Sequence, residues 1–92
     1  GITGFARIVD VMLTHGWQRD AFWPHGGHLF TLHVAAAFGC GGSEVNPFSF
    51  APFGGLGDGD GLAGGTALVP DDPGIGFERR PALTQLFSDL VR

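Results

Sequence analysis

The sequence predicts an α/β fold in which helices alternate with the strands of a parallel sheet. The first observation is helical spacing near the start, where apolar residues share one face: Phe5, Ile8, Val9, Met12 and Leu13. The second is a nearly all-apolar stretch over 27–38, long enough for a helix that neighbours bury on several sides. The third is a short apolar run, ended by proline, after each of them: 20–24 and 43–48. Helix, strand, helix, strand is the order of a parallel sheet, and two strands need further neighbours.

The boundaries of these elements follow from local signals. Thr3 or Gly4 can cap the first helix, and Gly16 ends it. His15 stands in its last turn, where a cation suits the helix dipole, so we expect a structural role for it. His33 lies inside the apolar helix and is expected to be a hydrogen-bonded core histidine.

The second half of the chain is rich in turn residues. Residues 49–61 are predicted to be a loop, and 62–70 a pair of strands around a Gly-Gly turn. Pro81 suits the first position of a C-terminal helix. The apolar face of that helix is formed by Leu83, Leu86, Phe87, Leu90 and Val91.

Composition narrows the classes of partner. Only 15% of the residues are charged, against about a quarter in a typical domain, so we expect other polypeptide to cover much of this chain. A net charge of −4 with five basic residues argues against binding nucleic acid or an anionic membrane. We find no apolar run of transmembrane length and no signal-peptide pattern. Cys40 is the single cysteine, which favours a reducing, cytoplasmic location, and we expect it to be a small buried filler.

Two candidate metal or nucleotide sites have unfavourable spacing. The loop "GGLGDGDG" has Gly59 where a calcium-binding nonapeptide needs aspartate, and Val69 where an EF-hand starting at Asp58 needs glutamate. It also lacks the spacing of a dinucleotide fingerprint. A zinc site built from His25, His28, His33 and Cys40 is disfavoured, because His28 and His33 do not share a helix face.

The stretch "FWPHGGH" (22–28) carries the strongest candidate site. His25 follows a predicted strand directly, and Glu44 takes the corresponding place on the next strand. Parallel sheets bind their ligands at this carboxyl edge. A histidine and a glutamate on adjacent strand ends can face one substrate, one moving protons and one orienting or polarising it. Gly26 and Gly27 let the backbone pass close to a ligand.

Four pieces of the sequence, in order, resemble the C-terminal part of the enolase superfamily, mandelate racemase subgroup. They are "GITGFARI", "PHGGH" before an apolar helix, the glutamate of "SEVNPF", and "GLAGGTALVPDDPGIGFE". The resemblance covers essentially all 92 residues and is closest to acid-sugar dehydratases of the D-tartrate dehydratase type. It implies the last two strands and helices of a modified (β/α)₈ barrel over 1–61. Residues 62–92 would then form a tail that packs on an α+β capping domain.

The resemblance also implies a chemistry. Family members bind Mg²⁺ through carboxylates that would precede this chain, and a base removes the proton α to the substrate carboxylate. His25 takes the place of the acid that protonates the departing β-hydroxyl. Glu44 takes the place of a hydrogen-bond partner of the substrate carboxylate or enediolate oxygen. His28 is expected to open the next helix and to contribute to substrate binding.

From these residues the sequence predicts the C-terminal piece of a cytoplasmic, Mg²⁺-dependent hydro-lyase that acts on a tartrate-like acid sugar. The chain alone is expected to be inactive, because a barrel needs about 250 residues. Its expected partners are the missing N-terminal polypeptide and, by resemblance, further copies in a homo-oligomer. Two alternatives remain open: a racemase, epimerase or cycloisomerase of the same subgroup, and a non-catalytic structural or interaction chain.

Overall fold

A computed structural model describes residues 1–46, 48, 50, 61–76 and 79–92. This part of the chain contains three α-helices and one antiparallel pair of two-residue strands. The elements are α1 (Ile2–Thr14), α2 (Leu29–Ala37), β1 (Leu62–Ala63), β2 (Thr66–Ala67) and α3 (Pro81–Leu90), with a 3₁₀ turn at Arg19–Ala21. The predicted loop over 49–61 lies almost wholly outside the described residues, as do the last two residues of the "PGIGFE" tail.

Helix α1 ends where the sequence predicts, but the predicted cap at Thr3 or Gly4 is wrong, because the helix begins at Ile2 with Gly1 as its cap. Gly16 has a φ of +88°, and its N–H donates to the carbonyl of Leu13 while the N–H of Trp17 donates to that of Met12. This pair of bonds is a Schellman motif, which satisfies carbonyls that the end of a helix leaves free. His15 has the expected structural role, since its Nδ1 donates to the carbonyl oxygen of Val11 at 2.8 Å.

The apolar face of α1 is only partly covered. Val9 is buried, and the ring of Phe5 meets that of Phe38 edge-on, with centroids 5.2 Å apart. Ile8, which belongs to the same predicted face, stays 58% exposed, and Val11 beside it is 57% exposed. The described residues therefore bury one edge of α1 and leave the other open.

The two strands predicted at 20–24 and 43–48 are wrong as regular strands in the described part of the chain. The stretch 20–24 begins in the 3₁₀ turn, and neither it nor 43–46 forms a regular strand. Instead, two paired segments, 22–27 and 41–46, run in the same direction with a parallel bridge between Gly27 and Val45. Backbone N–H groups of the second paired segment donate to carbonyls of the first: Gly41 to Phe22, Glu44 to Pro24 and Asn46 to Gly27. A parallel pair without flanking strands is weakly held, which accounts for the irregularity.

Helix α2 connects the two paired segments and carries four of the eight residues that are buried in the described part of the chain. Leu29, Leu32 and Ala35 are buried. As predicted, His33 is half-buried and hydrogen-bonded, with its Nε2 donating to the carbonyl oxygen of Ile75 at 3.0 Å. The segment around Ile75 thus packs on α2.

The predicted strand pair is present. Strands β1 and β2 are antiparallel, and the turn between them is made by Gly64 and Gly65 with φ values of +57° and +78°. Two positive φ values in a two-residue turn match the twist of the strands that they join. The hairpin and the chain after it supply Leu62, Ala67, Val69 and Ile75 to the cluster around Leu29 and Leu32.

Helix α3 begins at Pro81, as expected, but most of its apolar face stays exposed in the described part of the chain, with Leu83 partly buried. Leu86, Phe87, Leu90 and Val91 are 42%, 58%, 71% and 86% exposed. The chain as a whole exposes 6243 Å², against about 5,100 Å² expected for a compact protein of its mass. Its Cα radius of gyration is 14.8 Å, against about 12 Å for a compact domain of this length. None of the helices in the described part could span a membrane.

Candidate functional site

The two paired segments bring His25 and Glu44 together. The N–H of Glu44 donates to the carbonyl of Pro24 at 3.2 Å, so Glu44 sits beside the residue that precedes His25. The pairing continues two residues later, where the N–H of Asn46 donates to the carbonyl of Gly27 at 2.9 Å. Because both segments run in the same direction, the side chains of His25 and Glu44 leave the backbone at the same level.

The side chains of His25 and Glu44 are in direct contact. Nδ1 of His25 lies 2.5 Å from Oε2 of Glu44. The same oxygen accepts the backbone N–H of Gly26 at 2.9 Å. One carboxylate oxygen therefore receives two hydrogen bonds from consecutive residues of the first paired segment. This geometry ties the carboxylate to the loop that carries the histidine.

The contact leaves one side of the histidine ring open. The side chain of His25 is 95% exposed, and that of Glu44 is 45% exposed. The Nε2 atom of His25 has no partner among the described residues. A ring that is held at one nitrogen and open at the other can exchange a proton with a bound molecule.

The backbone conformation at positions 26 and 27 favours glycine. Their φ values are +149° and +71°, a region that residues with a Cβ seldom adopt. A Cβ on Gly26 would lie 2.6 Å from Oγ1 of Thr31, and one on Gly27 would lie 3.2 Å from the Cβ and the backbone N of Asn46. The glycines thus allow both the turn after His25 and the close approach of the second paired segment.

His28 opens α2, as the sequence predicts, and its ring serves as the helix cap. Nδ1 of His28 accepts the backbone N–H of Thr31 at 3.1 Å. The ring also meets the ring of Phe50 edge-on, with centroids 5.2 Å apart. Its Nε2 lies 3.3 Å from the position that a Cβ on Gly26 would take, so the ring borders the turn that follows His25. Its role in substrate binding stays a prediction.

Thr31 is a member of this cluster that sequence reasoning missed. Its Oγ1 lies 3.0 Å from Nδ1 of His28 and fills the space beside Gly26. Thr31 is buried, although it is polar. The position of Thr31 in the sequence indicates this contact, since a residue three positions after a helix cap supplies the N–H that the cap accepts.

A cleft lies beside α2. It has a volume of about 710 Å³ and is lined by α2, by residues 40–43 and by the β1–β2 hairpin. His25, His28 and Glu44 are not among the residues that line it. Burial raises the pKa of the Cys40 thiol in its wall, and the nearby charge of Arg19 offsets part of that rise. Cys40 is only partly buried, so it is not the buried filler that the sequence predicts.

The described residues do not bring three metal-ligating side chains together. The Mg²⁺ ligands that the resemblance implies are thus not found in this part of the chain. A comparison with known protein families found no family that matches this chain.

Proposed function

We propose that this chain forms the C-terminal part of an acid-sugar dehydratase barrel and that His25 is the acid of the reaction. The observation that carries the proposal is the contact between His25 and Glu44, 2.5 Å apart on two adjacent parallel segments. The sequence resemblance places the same two residues at the strand ends that form the active site.

The arrangement around the contact supports a barrel context. The paired segments 22–27 and 41–46 are parallel and are joined by α2, which is the connection found between neighbouring strands of a (β/α)₈ barrel. Active sites of such barrels lie at the carboxyl ends of the strands. A ring that is 95% exposed in this chain has room for a substrate and for neighbouring strands.

The uncovered apolar surface supports the idea that further polypeptide packs against this chain. The faces of α1 and α3 are exposed at Ile8, Val11, Phe87 and Leu90. Soluble monomers seldom leave such faces open, because apolar area in water is unfavourable by about 25 cal/mol per Å². In the proposal, the rest of the barrel and a capping domain cover these faces.

The proposed reaction is a redox-neutral β-elimination of water. A base outside this chain takes the proton α to the substrate carboxylate. The Nε2–H of His25 is donated to the β-hydroxyl as its bond to carbon breaks, so the leaving group departs as water. The remaining enol tautomerises to a 2-keto acid. In this scheme the Mg²⁺ ion, held by residues outside this chain, supplies charge near the substrate carboxylate when it is bound.

The test is the His25→Asn variant of the complete protein, assayed on a panel of acid sugars for release of 2-keto acid. We expect turnover to fall by about 10²–10⁴-fold, the usual contribution of a general acid, with Mg²⁺ affinity unchanged. His15→Asn is the matched control, because His15 is also exposed but bonds only its own helix.

Three results would count against the proposal. Unchanged turnover in His25→Asn removes His25 as the acid. Exchange or inversion at the α-carbon without any 2-keto acid favours the racemase or epimerase alternative. A complete protein that binds no Mg²⁺ and converts no acid sugar favours a non-catalytic chain.

A further inference from the structure

We infer that Phe50 is a specificity-determining residue, which forms with the ring of His28 an apolar wall that favours short acid sugars over longer ones. The two rings meet edge-on, with centroids 5.2 Å apart, beside the turn that follows His25. The inference concerns the length of the substrate and rests on the proposed function. It is tested through the ratio of two affinities, which can be measured without turnover.

Phe50 reaches the site because the chain turns back after the second paired segment. The N–H of Asn46 donates to the carbonyl of Gly27 at 2.9 Å, which fixes the end of that segment. The Oδ1 of Asn46 accepts the N–H of Phe48 at 3.1 Å, a side-chain bond typical of a turn. Two residues later, the ring of Phe50 lies against that of His28. Phe50 therefore lies near the carboxyl ends of the paired segments, where the proposed substrate binds.

The wall borders the turn that carries the exposed histidine. Nε2 of His28 lies 3.3 Å from the position that a Cβ on Gly26 would take, and Gly26 directly follows His25. The side chain of His25 is 95% exposed, so the wall stands beside this ring and leaves it open. A substrate whose reacting carbons lie at Nε2 of His25, and whose chain follows the turn, meets His28 and then Phe50.

The two rings offer such a chain carbon in place of hydrogen-bond partners. Nδ1 of His28 accepts the backbone N–H of Thr31 at 3.1 Å, so a neutral ring carries its proton on Nε2. That Nε2 lies 3.1 Å from Oγ1 of Thr31, which accepts the proton. A hydroxyl that approaches the wall therefore finds both nitrogens of His28 engaged and only carbon on the side chain of Phe50. This assigns His28 an apolar contact with the substrate.

The consequence is a preference for a short chain. A hydroxyl that is pressed against these rings loses its hydrogen bonds to water and gains none in return. Tartrate ends one carbon beyond the β-carbon. Galactarate has the same α- and β-hydroxyl groups at its reacting end but continues for two more hydroxyl-bearing carbons. We expect the wall to weaken binding of the longer acid by about 10-fold or more.

The test compares the dissociation constants of tartrate and galactarate by titration calorimetry on the complete protein with Mg²⁺. The parent protein carries His25→Asn, so that neither acid is consumed. We expect tartrate to bind more tightly, Phe50→Ala to reduce this preference by about 10-fold, and the larger ring of Phe50→Trp to increase it. Because Phe50 is 38% exposed, there is room for the larger ring, and this variant gives a second reading if Phe50→Ala folds poorly.

Phe48→Ala is the matched control, because Phe48 lies two residues earlier and is 86% exposed. Three results overturn the inference: no preference for tartrate in the parent protein, the same preference in both Phe50 variants, or an equal change in Phe48→Ala.

Failure of this inference and failure of the proposed function give different results. Affinities that depend on Phe50 in a protein without dehydratase activity remove the proposed function and keep the wall. Dehydratase activity with a preference that does not depend on Phe50 keeps the proposed function and removes the wall. A complete protein that binds neither acid removes both.

Discussion

Replacement of Gly27 by alanine tests whether the close approach of the paired segments holds the site together. Gly27 is buried, has a φ of +71° and forms the parallel bridge with Val45. A Cβ there would lie 3.2 Å from both Cβ and N of Asn46, and 3.7 Å from the carboxylate carbon of Glu44. Asn46 is also the residue whose N–H bonds the Gly27 carbonyl. The added methyl group therefore strains the hydrogen bond between the Asn46 N–H and the Gly27 carbonyl.

Two effects contribute to the expected loss of stability. A residue with a Cβ in the left-handed region costs about 1–2 kcal/mol. Inserting a methyl group into a close contact costs about 1–3 kcal/mol, since the neighbours must shift. We expect Gly27→Ala to lower the free energy of unfolding by about 2–4 kcal/mol.

The matched control is Gly65→Ala in the hairpin turn. Gly65 has a φ of +78°, close to that of Gly27, but a Cβ there meets no atom within 4 Å. The control therefore carries the conformational cost alone, about 1–2 kcal/mol. Urea unfolding of the intact protein measures both losses. Equal losses in the two variants would refute the reasoning, because the close approach to Asn46 would then contribute nothing.

Two further predictions concern side chains around the site. His28→Ala should lower the free energy of unfolding by about 0.5–2 kcal/mol through loss of the α2 cap, and His28→Asn should recover most of it, because asparagine is a favoured cap. Equal unfolding midpoints for both variants would contradict the capping role. Arg19→Gln should raise the pKa of Cys40 further, because the Arg19 charge lowers it, so the thiol should react more slowly with iodoacetamide at pH 8. Arg7→Gln, on the exposed surface of α1, is the control, and faster alkylation in Arg19→Gln would contradict the prediction.

The helices and turns were predictable because their causes are local. Apolar spacing and Gly16 predict α1 and its end, and Pro81 predicts the start of α3. Gly64 and Gly65 predict the hairpin turn, since two positive φ values are easiest for glycine. His28 was predicted to open α2, although the use of its ring as the cap was not. In each case, the residues that determine the feature lie within a few positions of it.

The paired segments were harder to predict because their bonds join residues far apart in the chain. The apolar run at 20–24 suggested a strand, but its first residues form a 3₁₀ turn, and backbone bonds to 41–46 begin only at Phe22. The exposure of Ile8 is also decided by packing, since periodicity marks a face without saying what covers it.

The sequence by itself determined where the helices and the hairpin form, and it singled out His25 and Glu44 as a pair. The tertiary structure decided how the pair is arranged. Only the pairing of 22–27 with 41–46 brings Nδ1 of His25 to 2.5 Å from Oε2 of Glu44 and adds the N–H of Gly26 to the same oxygen. Local backbone preferences depend on neighbouring residues, whereas a contact between residues on two separate segments exists only once the chain has folded.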